Sequence, residues 1–216
     1  MKKLLCIMAT ALLLTACSAN SQAIEPAATD AVPETTMATE AETVASPQTL
    51  PLPDETMEFS FLTGAGGWRS VMTLNSDGSF TGMYTDSEMG EVGDGYPYGS
   101  VYVCVFSGKF ENIAKVDEYS YKMTLPYIET EKPIGEEWIE DEIRYIASGP
   151  FGLNDTINNQ ECTDFVFYLP NMPVDQLSED FLFWWPYQFS EEAKTTLSCY
   201  GILNVTTNNG FFSAES

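Results

Sequence analysis

The sequence predicts an all-β domain: an antiparallel barrel with one short helix on its flank, or alternatively a two-sheet sandwich, reached through a disordered N-terminal stalk. Three observations predict it. Strand-like runs recur from residue 59 to residue 205, an Asp-Gly turn joins two of them, and only one stretch carries helix signals. Closure into a barrel is the expected arrangement because it leaves no exposed strand edge.

Phe59 to Leu62 is the first candidate strand. Trp68 to Asn75 and Ser79 to Tyr84 flank Ser76-Asp77-Gly78, a strong hairpin signal. Val101 to Phe106 is apolar at every position, as an interior strand buried on both faces would be. Tyr119, Tyr121, Met123 and Leu125 alternate with Ser120, Lys122 and Thr124, which reads as a strand with one wet face. Arg144 to Ala147, Asp164 to Leu169 and Ser198 to Val205 complete the set. The helix runs from Ser178 as N-cap to Trp185, stopped by Pro186, with Leu177, Phe181, Trp184 and Trp185 on one stripe.

Ahead of these elements lie two segments of different character. Met1, Lys2 and Lys3 precede an apolar run from Leu4 to Leu14, the charged, greasy, small-residue order of a secretory signal. At ~1.5 Å per residue that run covers roughly 16 Å, half of a ~30 Å hydrocarbon core, so it does not span a membrane. Leu14-Thr15-Ala16-Cys17 resembles the lipobox of bacterial lipoproteins, which implies cleavage before Cys17 and a diacylglycerol on its thiol. From Ser18 to about Glu55 the chain is Ala, Thr, Glu, Pro and Ser, too poor in apolar area to offset the entropy of ordering. The expected organisation is therefore a signal peptide over 1–16, a lipidated Cys and flexible stalk over 17–56, and one β-rich domain over 57–216.

Charge and missing residues narrow the chemistry. Lys2 and Lys3 leave with the signal, so 7 cations face 32 acids, a net charge of −25. Nucleic acid, which demands a basic patch, is excluded as a partner. The chain has no His, which removes Ser-His-Asp and Cys-His nucleophile pairs and imidazole metal ligands. Gly64-Ala65-Gly66-Gly67 lacks the Lys and helix of a phosphate loop. Cys104, Cys162 and Cys199 are an odd number, which leaves at least one unpaired; Cys104 and Cys199 sit in strand-like segments and are read as small buried hydrophobes, with a Cys104 to Cys199 disulfide as the alternative that export would permit.

Three segments remain as candidate sites. The loop DSEMGEVGDGYPYG carries Asp86, Glu88, Glu91 and Asp94, oxygen donors of the kind calcium takes, although its spacing is not that of an EF-hand. Glu129 to Glu142 offers carboxylates, and glycoside hydrolysis uses two across a sugar. Phe183 and Tyr187 are the members of the aromatic run expected to be exposed to a ligand, and Trp138 is read as an amphipathic anchor into the core, with a sugar platform as the alternative.

The succession GAGGW, DGSF, DSEMG, YPYG, VCVFSGKF and CYG resembles a group of uncharacterised lipoproteins of gut anaerobes, over about residues 57 to 212. That resemblance implies the lipoprotein address and nothing catalytic. Gly67-Trp68 is also similar to the Gly-x-Trp opening of lipocalin and calycin barrels. Together these readings point to a cell-envelope lipoprotein held to the outer face of the cell membrane by the lipid on Cys17. In a Gram-negative cell Ser18 also permits sorting to the outer membrane. Its domain is expected to bind a small ligand, a glycan or a protein partner without catalysis or cofactor. A carboxylate-dependent glycan-active enzyme and a calcium-dependent adhesin are the alternatives.

Overall fold

In the computed structural model a compact unit spans Val44–Ser216, and the structure describes residues 48–62, 66–154, 162–187 and 194–214. The signal peptide, Cys17 and the stalk up to residue 47 lie outside the described residues. The unit is all-β. In chain order its strands are β1 (Thr56–Leu62), β2 (Trp68–Asn75), β3 (Ser79–Glu88), β4 (Ser100–Lys109), β5 (Glu111–Lys115), β6 (Ser120–Thr124), β7 (Ile128–Thr130), β8 (Glu137–Glu140), β9 (Ile143–Ala147), β10 (Asp164–Tyr168), β11 (Gly201–Asn204) and β12 (Gly210–Phe212). One helix, α1 (Glu179–Phe183), sits between β10 and β11.

The strands form one sheet in the order β5-β6-β10-β11-β12-β1-β2-β3-β4-β9-β8, with β7 also paired to β4. Ring contacts across the interior, Phe59 with Phe167 and Phe110 with Phe165, show the sheet folded over into two facing layers. The expected barrel does not close, and the fold is sandwich-like. Its hydrogen-bonded path ends at β5 and β8 because β4 has no edge left to offer. β9 takes Ser100 to Val103 in parallel, and β7 takes Phe106 to Gly108. That parallel pair also makes the sheet mixed where a purely antiparallel one was expected.

The corner between layers is made by the chain itself. β4 runs into β5 through Phe110, which is fully buried and whose N–H donates to the Gly78 carbonyl. Gly78 belongs to the expected β2–β3 turn, with φ of +87°. A Cβ there would lie 2.3 Å from the Phe110 carbonyl oxygen, so glycine is required on both counts. Asp77 completes the turn by accepting from the Ser79 amide and hydroxyl, which pull its carboxyl down to about 2.

Alternation fills the interior as the sequence leads one to expect. Phe59 and Phe61, Met72 and Leu74, Tyr121 and Met123, Phe165 and Phe167 all point inward and are buried. What the alternation does not anticipate is that irregular backbone joins them. Pro150 to Leu153 enters the open end of the sandwich, where Phe151 packs on Phe61, Trp68 and Tyr84. Leu153 is fully buried. Gly152, with φ of +89°, lies so close to Phe61 and Phe211 that a Cβ would meet their rings at 2.5 and 3.0 Å. Two buried polar side chains satisfy the carbonyls this segment brings inside: Ser70 Oγ donates to Phe151 O at 2.7 Å, and Asn204 Nδ2 to Gly152 O and Leu153 O at 3.0 and 3.3 Å.

α1 forms as expected but is shorter. Ser178 caps it by accepting from the Phe181 amide. Phe181 drops onto Gly201 and Gly210, against Phe212 and Tyr168, and builds a second buried cluster with Met172, Trp185, Leu197 and Cys199. Trp184 packs instead across the mouth of the main core, its ring 4.8 Å from that of Phe61. The start of the domain also differs from the expected residue 57. Leu50 is 2% exposed within the main core, its N–H donates to Ser76 O, and Gln48 Oε1 accepts from the Lys115 amide. Two leucines in a Pro-rich stretch suffice to dock it, a detail that average composition hides.

Asn204 is the most exposed to test of these contacts. Its side chain also accepts from the Thr206 and Thr207 amides, so Asn204→Ala strands several buried groups and is expected to cost about 2–3 kcal/mol. Urea unfolding followed by intrinsic fluorescence measures it; a loss below about 0.5 kcal/mol, the range of an ordinary surface change, would refute the assignment.

Candidate functional site

Among the described residues the core side chains pack against one another, and the clefts of interest lie outside that core. On the second edge of β4, β9 ends beside Val103 and β7 ends beside Phe106, leaving a break at Cys104 and Val105. Two crossing hydrogen bonds frame it, Ser148 N to Val103 O at 2.9 Å and Glu131 N to Val105 O at 3.0 Å. The break is a cleft of about 220 Å³. Val103, Val105 and Ala147 give it apolar walls, and Trp138, Lys132, Glu131 and Ser148 complete them.

Trp138 reaches the cleft from β8. Its cross-strand partner is Tyr145, and the two rings stack with centroids 5.3 Å apart and planes 12° from parallel. Lys132 places its ammonium 4.6 Å from the indole centroid and pairs with Glu136 at 2.6 Å, a hydrogen bond that raises its pKa. The indole belongs to neither buried cluster, so anchoring into the core is not its role. Among the described residues two buried side-chain polar atoms lack a hydrogen-bond partner, Trp185 Nε1 and Ser148 Oγ. The second belongs to a residue of the cleft wall. A further cleft of about 250 Å³ continues past Val105, with Thr81, Ser107 and Glu129 added to its lining.

The other two aromatic candidates lie elsewhere. Tyr187 lines a separate cleft with Leu62, Trp184 and Phe212, under the Lys194 ammonium. Phe183 is 57% exposed, with its ring edge against Trp184.

Within the acidic loop Glu91 is held by a cationic side chain, Arg144. Asp86 and Glu88 are in β3, and the Tyr84 hydroxyl donates to Asp86. Glu91 pairs with Arg144 at 2.9 Å and accepts from Tyr102; the Arg144 hydrogen bond holds its carboxyl below the usual range. Arg144 also donates to Ser100 Oγ and lies 4.9 Å from the Tyr96 ring centroid. Among the described residues no three Asp, Glu or Cys side chains converge as a metal set, so Asp86, Glu88, Glu91 and Asp94 are not brought together. Arg144 was not singled out from the sequence, since nothing local marks a strand arginine as the anchor of a distant loop.

No family model, curated protein or solved structure matches the chain.

The carboxylates of 129–142 are dispersed: Glu136 is held by Lys132, Glu137 lies 3.9 Å from Arg144, and Asp141 and Glu142 form the positive-φ turn between β8 and β9. Glu131 is the acid that lines the Trp138 cleft. Cys104 and Cys199 are buried, as expected, and the alternative disulfide between them is not formed. Cys104 is a free thiol in the main core, whereas Cys199 lies in the cluster under α1. Burial pushes the Cys104 thiol up to about 11, which leaves almost no thiolate at neutral pH. Iodoacetamide at pH 8 is expected to leave Cys104 unmodified in the folded protein and to alkylate it after denaturation, read by peptide mass mapping. Equal modification of both forms would contradict this burial.

Proposed function

We propose that the chain is an extracytoplasmic lipoprotein, tethered through Cys17 to the outer face of the cell membrane, whose domain binds a small ligand or single glycan unit in the Trp138 cleft without chemical turnover. The observation that carries this reading is the pairing of a filled interior with an outer cleft whose wall holds an unpartnered hydroxyl. Apolar walls with a few convergent polar groups are the usual make-up of a ligand site. Here Val103, Val105 and Ala147 would take an apolar flank, while Ser148 Oγ, Glu131 and Lys132 would take hydroxyls. Glycoside hydrolysis uses two carboxyls roughly 5–9.5 Å apart across the sugar. The Trp138 cleft is lined by Glu131, and Glu129 joins it in the continuation past Val105; binding without turnover is our reading of the site.

Two measurements test the two halves. Cells fed a palmitate analogue are expected to label the wild type and not Cys17→Ala; equal labelling overturns the anchor. Protein-observed NMR against a panel of monosaccharides and small apolar molecules is expected to move the amides of Val103, Val105 and Ser148, and Trp138→Ala to abolish the shifts. A panel with no responder, or responders that perturb another region, overturns the cleft.

A further inference from the structure

The Trp138 cleft does not stand alone on its face. Pairing register places Arg69, Val71 and Thr73 of β2 outward beside Thr85, Met83 and Thr81 of β3, and these beside Val103, Val105 and Ser107 of β4. Outward positions of the three strands hold Val, Met, Ser, Thr and Asn with Arg69 and Lys109, and no carboxylate, in a chain with 32 acidic residues. Val101 and Val103 continue the same face into Tyr145 and Ala147 of β9, and Tyr145 into Trp138. The two clefts share Val105, Thr130 and Glu131, so they are successive stations of one groove. From Trp138 on β8 across β9 and β4 to Thr81 on β3 is three strand spacings, about 14 Å across the strands, and six residues, about 20 Å, along them.

Magnitude and charge decide the occupant. The outer face of β2, β3 and β4 measures about 14 Å by 24 Å, roughly 340 Å² in projection. A stable protein interface buries about 800 Å² on each partner, so a second copy or another folded protein finds too little here. A polyanion meets a net charge of −23 and the acids Glu129 and Glu131 along the groove. A linear chain of neutral sugar rings has the matching chemistry: C–H faces for Val71, Met83 and Val105, and hydroxyls for Thr81, Ser107 and Ser148.

We propose that the ligand is a linear neutral polysaccharide lying across β8, β9, β4 and β3, with one unit in the Trp138 cleft and the next ones beyond Val105. This rests on the reading of that cleft as a binding site. Native gels cast with neutral polysaccharides (glucan, mannan and xylan) test it, with polygalacturonate and serum albumin as controls. The wild type is expected to be retarded by at least one neutral polymer, with affinity for its oligomers rising at least tenfold from one unit to three.

Thr81→Glu and Ser107→Glu place a carboxylate on groove positions beyond the Trp138 cleft. With unchanged melting curves they are expected to abolish retardation while keeping the small-ligand shifts at Ser148. Retention of full retardation by both variants overturns the proposal, as does retardation by polygalacturonate or albumin alone. No neutral polymer retarding a wild type whose cleft still takes a small ligand overturns the extension and leaves the cleft reading standing. No ligand of either kind overturns both.

Discussion

The arrangement depends on two polar side chains placed where an apolar core would exclude them. Ser70 and Asn204 let the backbone of Phe151 to Leu153 pass through the open end of the sandwich without leaving carbonyls unpaired. An unpaired buried carbonyl costs roughly as much as a lost hydrogen bond, so the segment could not stay inside without them. Once it is inside, Phe151 meets Phe61, Trp68 and Tyr84, and Trp184 closes over the same ring group. A mouth that in an open barrel would admit a ligand is stoppered by the protein's own chain.

A cleft opens on the outside of the sandwich instead, and the way β4 is shared decides where. Had one long strand paired with its outer edge, the sheet would be continuous there and flat. Instead β9 and β7 approach from opposite directions and stop short of each other, and the gap between them is the Trp138 cleft. Its walls are main chain held by ladders on either side, so the shape is set by strand register rather than by mobile loops. The adjoining face is free of carboxylates in a strongly acidic molecule.

Much of this was legible in the sequence where the cause is local. The Ser76-Asp77-Gly78 turn, the Ser178 cap and the inward Phe and Met positions each follow from a neighbour within a few residues. Four strands were not: β5, β7, β8 and β12 are three to five residues long, too short for a period-two pattern to declare itself. Barrel closure failed as an expectation because β4's second edge goes to β9, in a parallel pairing that the strand pattern does not declare, and to β7, one of those missed. Trp138 was visible as a residue of interest, but Ser148 and Val103 acquire meaning only beside it. Arg144 was invisible because its partner Glu91 belongs to another loop.

The point at which the chain enters the domain has a directional consequence. Gln48 and Leu50 join beside Lys115 and Ser76, at the hairpin pole of the sandwich, whereas Glu91, Arg144 and Tyr96 gather at the other ends of β3 and β4. Nine residue steps along β3 put those poles about 30 Å apart. Gln48, the first described residue, therefore stands at the pole opposite the acidic loop, and the β2–β4 face runs lengthwise between the two.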